Sequence, residues 1–129
     1  MKRVFLSFDY NDVQQARGLK LLNKNPDYDL EFYDESLDIA IDSDDANYVK
    51  RKIAEKIARS SVTVCLIGEN TYKSKWVCWE LSKTDEAGNK IIAMALKGIN
   101  SVILPKIIKE KKLPFYAWEP EKLKNLIGT

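Results

Sequence analysis

Ser61-Val62-Thr63-Val64-Cys65-Leu66-Ile67-Gly68 is an apolar, β-branched run ended by a glycine. That is the pattern of a strand covered on both faces. A short loop follows, and then Ser74-Lys75-Trp76-Val77-Cys78-Trp79-Glu80-Leu81. Ser74 is placed to cap a helix that runs to about Ala87, where Gly88-Asn89 stops it. A buried strand feeding a helix through a short loop is half of a parallel strand-helix-strand unit, so the neighbouring segments decide whether the unit repeats.

It repeats in both directions. Upstream, Arg3 to Asp9 is apolar at Val4, Phe5, Leu6 and Phe8, which predicts a central strand. Asp9 and Asp12 supply cap chemistry for a helix from about Val13 to Leu22, and residues 23–29, with Pro26, break it. Leu30 to Tyr33 is a short strand, and the acidic stretch from Asp34 to Asp45 is a loop. Ala46 to Arg59 is an amphipathic helix with Val49, Ile53 and Ile57 on one stripe. Downstream, Ile91 to Leu96 is a fourth strand. Ser101 to Ile108 is apolar but interrupted by Pro105, and Lys109 to Pro114 is loop. Phe115 to Trp118 is a short edge strand, and Glu119 to Leu126 forms a last helix. The pattern predicts one α/β domain over residues 1–129, a five-stranded parallel sheet with helices on both faces and strand order 2-1-3-4-5. Ligands of such sheets bind beyond the carboxyl ends of the strands, where the strand order reverses. Here that crevice lies between the first and third strands, walled by Phe8 to Asp12 and by Gly68 to Lys73, with the Trp76 to Glu80 turn beneath.

Composition narrows the chemistry. The chain has no histidine, which removes Ser-His and Cys-His catalysis and most zinc sites and leaves carboxylates, hydroxyls, Lys and Arg. Cys65 and Cys78 show no metal-ligand spacing, so no metal is expected, and two half-buried or buried thiols suit a reducing cytoplasm. A net charge of +2, with the signs mixed along the chain and basic runs short, gives no nucleic-acid signature. The apolar run after Met1-Lys2-Arg3 is too short for a signal peptide, and no stretch approaches a membrane span.

The Trp helix carries the one arrangement that points to chemistry. Trp76 and Glu80 are four residues apart and share a helix face, with Trp79 beside it. A carboxylate held against indole rings can be desolvated and shifted toward its neutral form. The same spacing also describes core tryptophans with an exposed helical acid, and residue pattern alone leaves both open.

Two blocks carry a family resemblance. Val4-Phe5-Leu6-Ser7-Phe8-Asp9-Tyr10 is similar to the first conserved box of TIR domains, and Ser74-x-Trp76-x-x-x-Glu80-Leu81 to the Trp and Glu signature of their third helix. Ile57 to Gly68, then Thr71 and Ser74 to Glu80, resembles the TIR-like domains of the Thoeris antiphage-defence type. The resemblance covers about Lys2 to Leu96. It implies a flavodoxin-like three-layer sandwich and cleavage of NAD, as substrate rather than tightly bound cofactor, at the nicotinamide-ribose bond. By position, Glu80 matches the catalytic glutamate, while Phe8, Asp9, Tyr10, Gly68, Thr71 and Trp76 match the nucleotide crevice. The product would be an ADP-ribose-type signal to a partner effector protein, with self-association through the loop at Asp34 to Asp45. That loop has no Pro or Gly pivot, and Cys78 is displaced from the position directly after Trp that many TIR domains use.

The reaction suits an acid-only chain. Departure of nicotinamide leaves an oxocarbenium-like ribose that one carboxylate can stabilise, and a leaving group that departs as a neutral base needs no general acid. The alternative is a non-enzymatic interaction module on the same fold, and a nucleoside deoxyribosyltransferase-like activity is a third reading. A phosphate-receiver domain is excluded because Leu66-Ile67-Gly68 stands where its acceptor Asp belongs, and a flavin site because the loop Phe8 to Asp12 is acidic. The same acidity opposes a pyrophosphate, so Arg17, Lys73 or Lys75 is expected to offset it.

Overall fold

The computed structural model describes residues 2–21, 30–33, 41–99 and 101–128. Five parallel strands form one sheet: β1 (Lys2–Ser7), β2 (Leu30–Tyr33), β3 (Val62–Ile67), β4 (Lys90–Ala95) and β5 (Phe115–Tyr116), in the order β2-β1-β3-β4-β5. The helices are α1 (Val13–Lys20), α2 (Ala46–Arg59), α3 (Lys75–Glu86), α4 (Lys106–Glu110) and α5 (Leu123–Gly128). All six residues of β3 are buried, as are Val4 to Ser7 of β1 and Ile91 to Ala95 of β4. Helices on both sides of these strands explain why their buried stretches are apolar apart from Ser7 and Thr63.

Side chains alternate between two layers. Val4, Leu6, Val64, Leu66, Ile92 and Met94 face one side, where Ala16 and Leu19 of α1 and Leu123 and Ile127 of α5 cover them. Cys65, Ile67, Ile91 and Ala93 face the other, under Val77 and Leu81 of α3 and Ile108 of α4. Phe5 packs there against Ile53 and Ile57 of α2, with Trp76 and Trp79 at the border. Burying a side chain such as Leu81 contributes about 2 kcal/mol relative to leaving it in water, so these two layers are the main source of cohesion.

Several local expectations change. The first strand ends at Ser7, and the chain turns through Asp9 into a 3-10 turn at Tyr10–Asp12. Neither Asp9 nor Asp12 makes a side-chain cap bond there, because the tight turn supplies its own closure, Asp12 N–H donating to Asp9 O at 2.8 Å. Ser74 does cap α3, accepting from Val77 N–H at 3.2 Å, and the chain leaves that helix through Gly88 at φ 74°, the left-handed region glycine favours. Helix α4 went unread in the sequence. Pro105 is its N-cap with φ −52°, so the residue that looked like an interruption is the start of a helix. β5 is only Phe115–Tyr116, and the last helix starts at Leu123, after a 3-10 turn at Pro120–Lys122. The expected end of α1 at Leu22, the break at residues 23–29, and residues 34–40 of the acidic loop lie outside the described residues. Among the described residues no helix is long and apolar enough to cross a membrane.

Candidate functional site

Glu80 lies on the sheet-facing side of α3 and is 3% exposed. The reason is the helix period: Val77, Glu80, Leu81 and Thr84 are the buried positions, one continuous stripe at spacings of three and four. Ser7, the last residue of β1, donates its hydroxyl to Glu80 Oε1 at 2.7 Å. Cys65 stands beside Ser7 in the β1–β3 register and is fully buried. Burial first, and the nearby Glu80 charge second, push the Cys65 thiol well above its ordinary range, which keeps it neutral. The carboxylate therefore sits where β1 and β3 meet, beneath the start of the loop that follows β1.

The tryptophans form the outer border of this spot. Trp76 and Trp79 meet edge to face, with ring centroids 5.9 Å apart and planes at 87°. Lys50 of α2 and Lys83 of α3 approach the Trp79 ring at 5.9 and 5.7 Å, so cations accompany its indole. Trp76 is half-buried, which suits it as a side wall.

A second group lies where the loops after β1 and β3 meet. Thr71 is fully buried, and its hydroxyl accepts from Gly68 N–H at 2.8 Å, stapling the loop after β3 closed. A Cβ built on Gly68 would lie 2.5 Å from Asp12 Oδ2 and 3.0 Å from its Cγ, so the Asp12 carboxyl lies directly against the glycine. Asp12 Oδ2 is buried with no hydrogen-bond partner. Burial, then the charges of Asp9 and Glu69, raise the Asp12 pKa above that of an ordinary aspartate.

The expected site residues separate into three placements. Glu80 and Trp76 come together around the end of β1. Asp9 and Tyr10 stand at the loop above, Asp9 accepting from Asn11 Nδ2 at 3.2 Å and Tyr10 44% exposed. Phe8 and Thr71 point into the fold, Phe8 joining the α1-side core, and Gly68 contributes closeness of approach instead of a free N–H. Arg17 and Lys75 are exposed, and Lys73 Nζ lies 5.5 Å from the centroid of its neighbour Tyr72.

Two participants escaped the sequence reading. Ser7 had a signal: it is polar within the apolar run Val4 to Phe8, and a polar group inside a doubly covered strand requires an internal partner. Asp12 is expected from the sequence as a helix cap and as the end of the Phe8 to Asp12 wall; the 3-10 turn shows that it does not cap, and its contact with Gly68 has no local sequence signal.

Comparison with known proteins gives this geometry a context. Residues 5–101 match the family model described as Thoeris protein ThsB, TIR-like domain. A Bacillus cereus (strain MSX-D12) protein, named provisionally as the cyclic ADP-D-ribose synthase ThsB1, is 39% identical over 99 residues, 72% of this chain and 50% of that protein. The match thus spans half the length of that relative. Among solved structures, the TIR domain of the Toll-related receptor TRR-2 of Hydra magnipapillata superimposes with a TM-score of 0.62 at 14% identity, over 97% of this chain and 90% of that one. The Clostridium botulinum CMP N-glycosidase BcmB does so with a TM-score of 0.62 at 14% identity, over 99% and 100%. At such identities these two likenesses establish the fold alone, an α/β TIR-type sandwich. The family model covers about three quarters of the chain, including the end of β1 from Phe5, all of β3 and the Glu80 helix, and on that ground the chain belongs to the Thoeris ThsB TIR-like domain family.

Proposed function

We propose that this chain cleaves NAD at the nicotinamide-ribose bond and releases an ADP-ribose-type signal in prokaryotic antiphage defence, with Glu80 as the catalytic carboxylate. The observation that carries the reading is the buried Glu80 carboxylate held by Ser7 at the carboxyl end of β1, where open parallel sheets bind ligands. Membership of the ThsB family and the name of the Bacillus cereus relative support NAD as the substrate.

In this mechanism the C1′–N bond breaks heterolytically and its electron pair leaves with nicotinamide, which departs as a neutral base. The ribose is left as an oxocarbenium-like cation. Glu80, ionised, stabilises that developing charge and draws in the ribose hydroxyls. Water captures the cation with loss of a proton, giving ADP-ribose, or a nucleophile within the ADP-ribosyl group captures it and closes a ring. Trp76 provides a flat apolar wall, and Asp9 and Tyr10 line the entrance. The product signals to a separate effector protein, and the domain self-associates when active.

One observation favours a second reading, a non-enzymatic interaction module: at 3% exposure, Glu80 bonded to Ser7 has the form of a structural polar pair. Nicotinamide release by Glu80→Gln decides between them. The amide keeps the shape and loses the charge, so turnover should fall about a hundredfold or more. Both proteins are assayed at micromolar and at crowded concentration. Equal turnover removes Glu80 from the chemistry, and a wild-type chain silent under every condition leaves the interaction module.

A further inference from the structure

The apolar layer between the sheet and α3 contains a seam of hydroxyl groups that leads to Glu80. Thr63 and Thr84 Oγ1 atoms lie 2.7 Å apart, and Thr84 Oγ1 donates to the Glu80 carbonyl at 2.9 Å. A hydroxyl has one proton, so Thr84 spends its own on Glu80 and Thr63 donates to Thr84. Both threonines are fully buried. The sheet thereby fixes the backbone of the turn that carries Glu80. Ser7 then fixes the side chain: its backbone is locked in the sheet opposite Cys65, it is fully buried, and its hydroxyl reaches Glu80 Oε1 at 2.7 Å.

A short hydroxyl-to-carboxylate bond is charge-assisted and favours the ionised acid, whereas burial at this depth favours the neutral one. Resting on the proposed NAD cleavage, we infer that Ser7 is a positioning residue, which aims the Glu80 carboxylate at the end of β1 and keeps it ionised for the reaction. Titratable or charged groups on the elements packed about this spot include Cys65 on β3, which feels the Glu80 charge, Cys78 on α3, Tyr33 on β2 beside the Phe5 cluster, and Lys50 and Lys83 against Trp79. Asp9, Asp12 and Glu69 belong to the neighbouring loops. Cys65 remains a neutral thiol, and Asp12, whose titration is also displaced upward, is controlled for with Asp12→Asn.

The test joins two measurements on the full chain. One is the pH profile of nicotinamide release, resolved into kcat and KM. The other is a carbon-13 NMR titration of the glutamate carboxyls, with Glu80 assigned by its absence in Glu80→Gln. In Ser7→Ala, kcat should fall about 10- to 100-fold through loss of aim, with KM moving less than about threefold. The acidic limb of the profile and the Glu80 titration should move up together. Ser7→Thr, which restores the hydroxyl, should recover both, and Asp12→Asn should leave the Glu80 titration in place.

An unmoved Glu80 titration in Ser7→Ala overturns the inference, as does an unmoved kcat in an active protein. It is also overturned if Ser7→Ala and Ser7→Thr lose kcat alike, in step with melting temperature. If the wild-type chain releases no nicotinamide, the cleavage reading falls by itself, and the NMR titration alone decides what Ser7 does to Glu80. Should Ser7→Ala not fold, Ser7→Cys substitutes for it as a weaker donor of similar shape: a smaller upward shift supports the inference and no shift overturns it.

Discussion

Replacing Gly68 by alanine isolates the contact between the loops that follow β1 and β3. Gly68 is not one of the glycines with positive φ, so alanine meets no backbone penalty there. What it meets is Asp12, whose Oδ2 would lie 2.5 Å and whose Oδ1 3.0 Å from the new Cβ. Carbon and oxygen at van der Waals contact need roughly 3.3 Å or more, so the carboxyl or one of the two loops must move by somewhat under 1 Å. Overpacking of this kind costs about 1–3 kcal/mol. Against it stands a gain of about 0.4–1 kcal/mol, because alanine restricts the unfolded chain more than glycine does. The net expectation is a loss of up to about 2.6 kcal/mol, centred near ~1 kcal/mol, which at the centre is roughly 3–5 °C in melting temperature for a chain of this size. In an Asp12→Ala background the obstacle is gone and only the unfolded-state gain remains. Gly68→Ala should then stabilise, by up to about 1 kcal/mol. Urea denaturation of the four proteins in this cycle gives both numbers. If Gly68→Ala is equally destabilising with and without the Asp12 side chain, the loops are not in the contact described.

Three more outcomes follow from the buried polar groups. The folded-state pKa of Asp12 is raised, so its contribution to stability falls as pH rises through that value; Asp12→Asn should therefore raise the melting temperature at pH 7, by a margin that shrinks toward acid pH, and a constant margin from pH 4 to 8 would contradict this. Thr84→Val leaves the Thr63 hydroxyl without its acceptor and should cost about 1–3 kcal/mol in urea denaturation, while Thr63→Val with Thr84→Val should recover part of the loss; additive losses would dismiss the pair. Native protein treated with iodoacetamide should be alkylated at half-buried Cys78 and spared at Cys65, whose thiol is raised by burial and then by Glu80; peptide mass mapping showing Cys65 modified first would refute its placement.

The parts of the fold that were legible in the residues are those buried on two sides. β3 and β1 appear as apolar runs broken only by Thr63 and, after the charged start of β1, by Ser7, and α2 and α3 carry a full helical period over 14 and 12 residues. The carboxyl-terminal third was harder to read because its elements are shorter than their own signals. α4 has five residues, little more than one turn, and β5 has two. At the site, Glu80 was legible through its spacing from Trp76, but its partner Ser7 is 73 residues away, and no local pattern encodes such a contact. Asp12 and Thr71 illustrate a related difficulty. Both residue types cap helices, line sites or staple loops, and only the turn geometry showed Thr71 facing inward and Asp12 lying against Gly68.

The placement of α5 has a practical consequence for anyone dividing this protein. The stretch shared with the family ends at residue 101, yet Leu123 and Ile127 lie against the sheet layer that includes Leu66, Ile92 and Met94, and β5 pairs along the free side of β4. A fragment trimmed to the shared stretch would strip the roof from that layer and unpair the edge of β4 at Ala93 and Met94, and exposed strand edges invite aggregation. The part of the structure that packs together is therefore larger than the stretch shared with the family, and expression boundaries drawn from family matching should be extended to include α5.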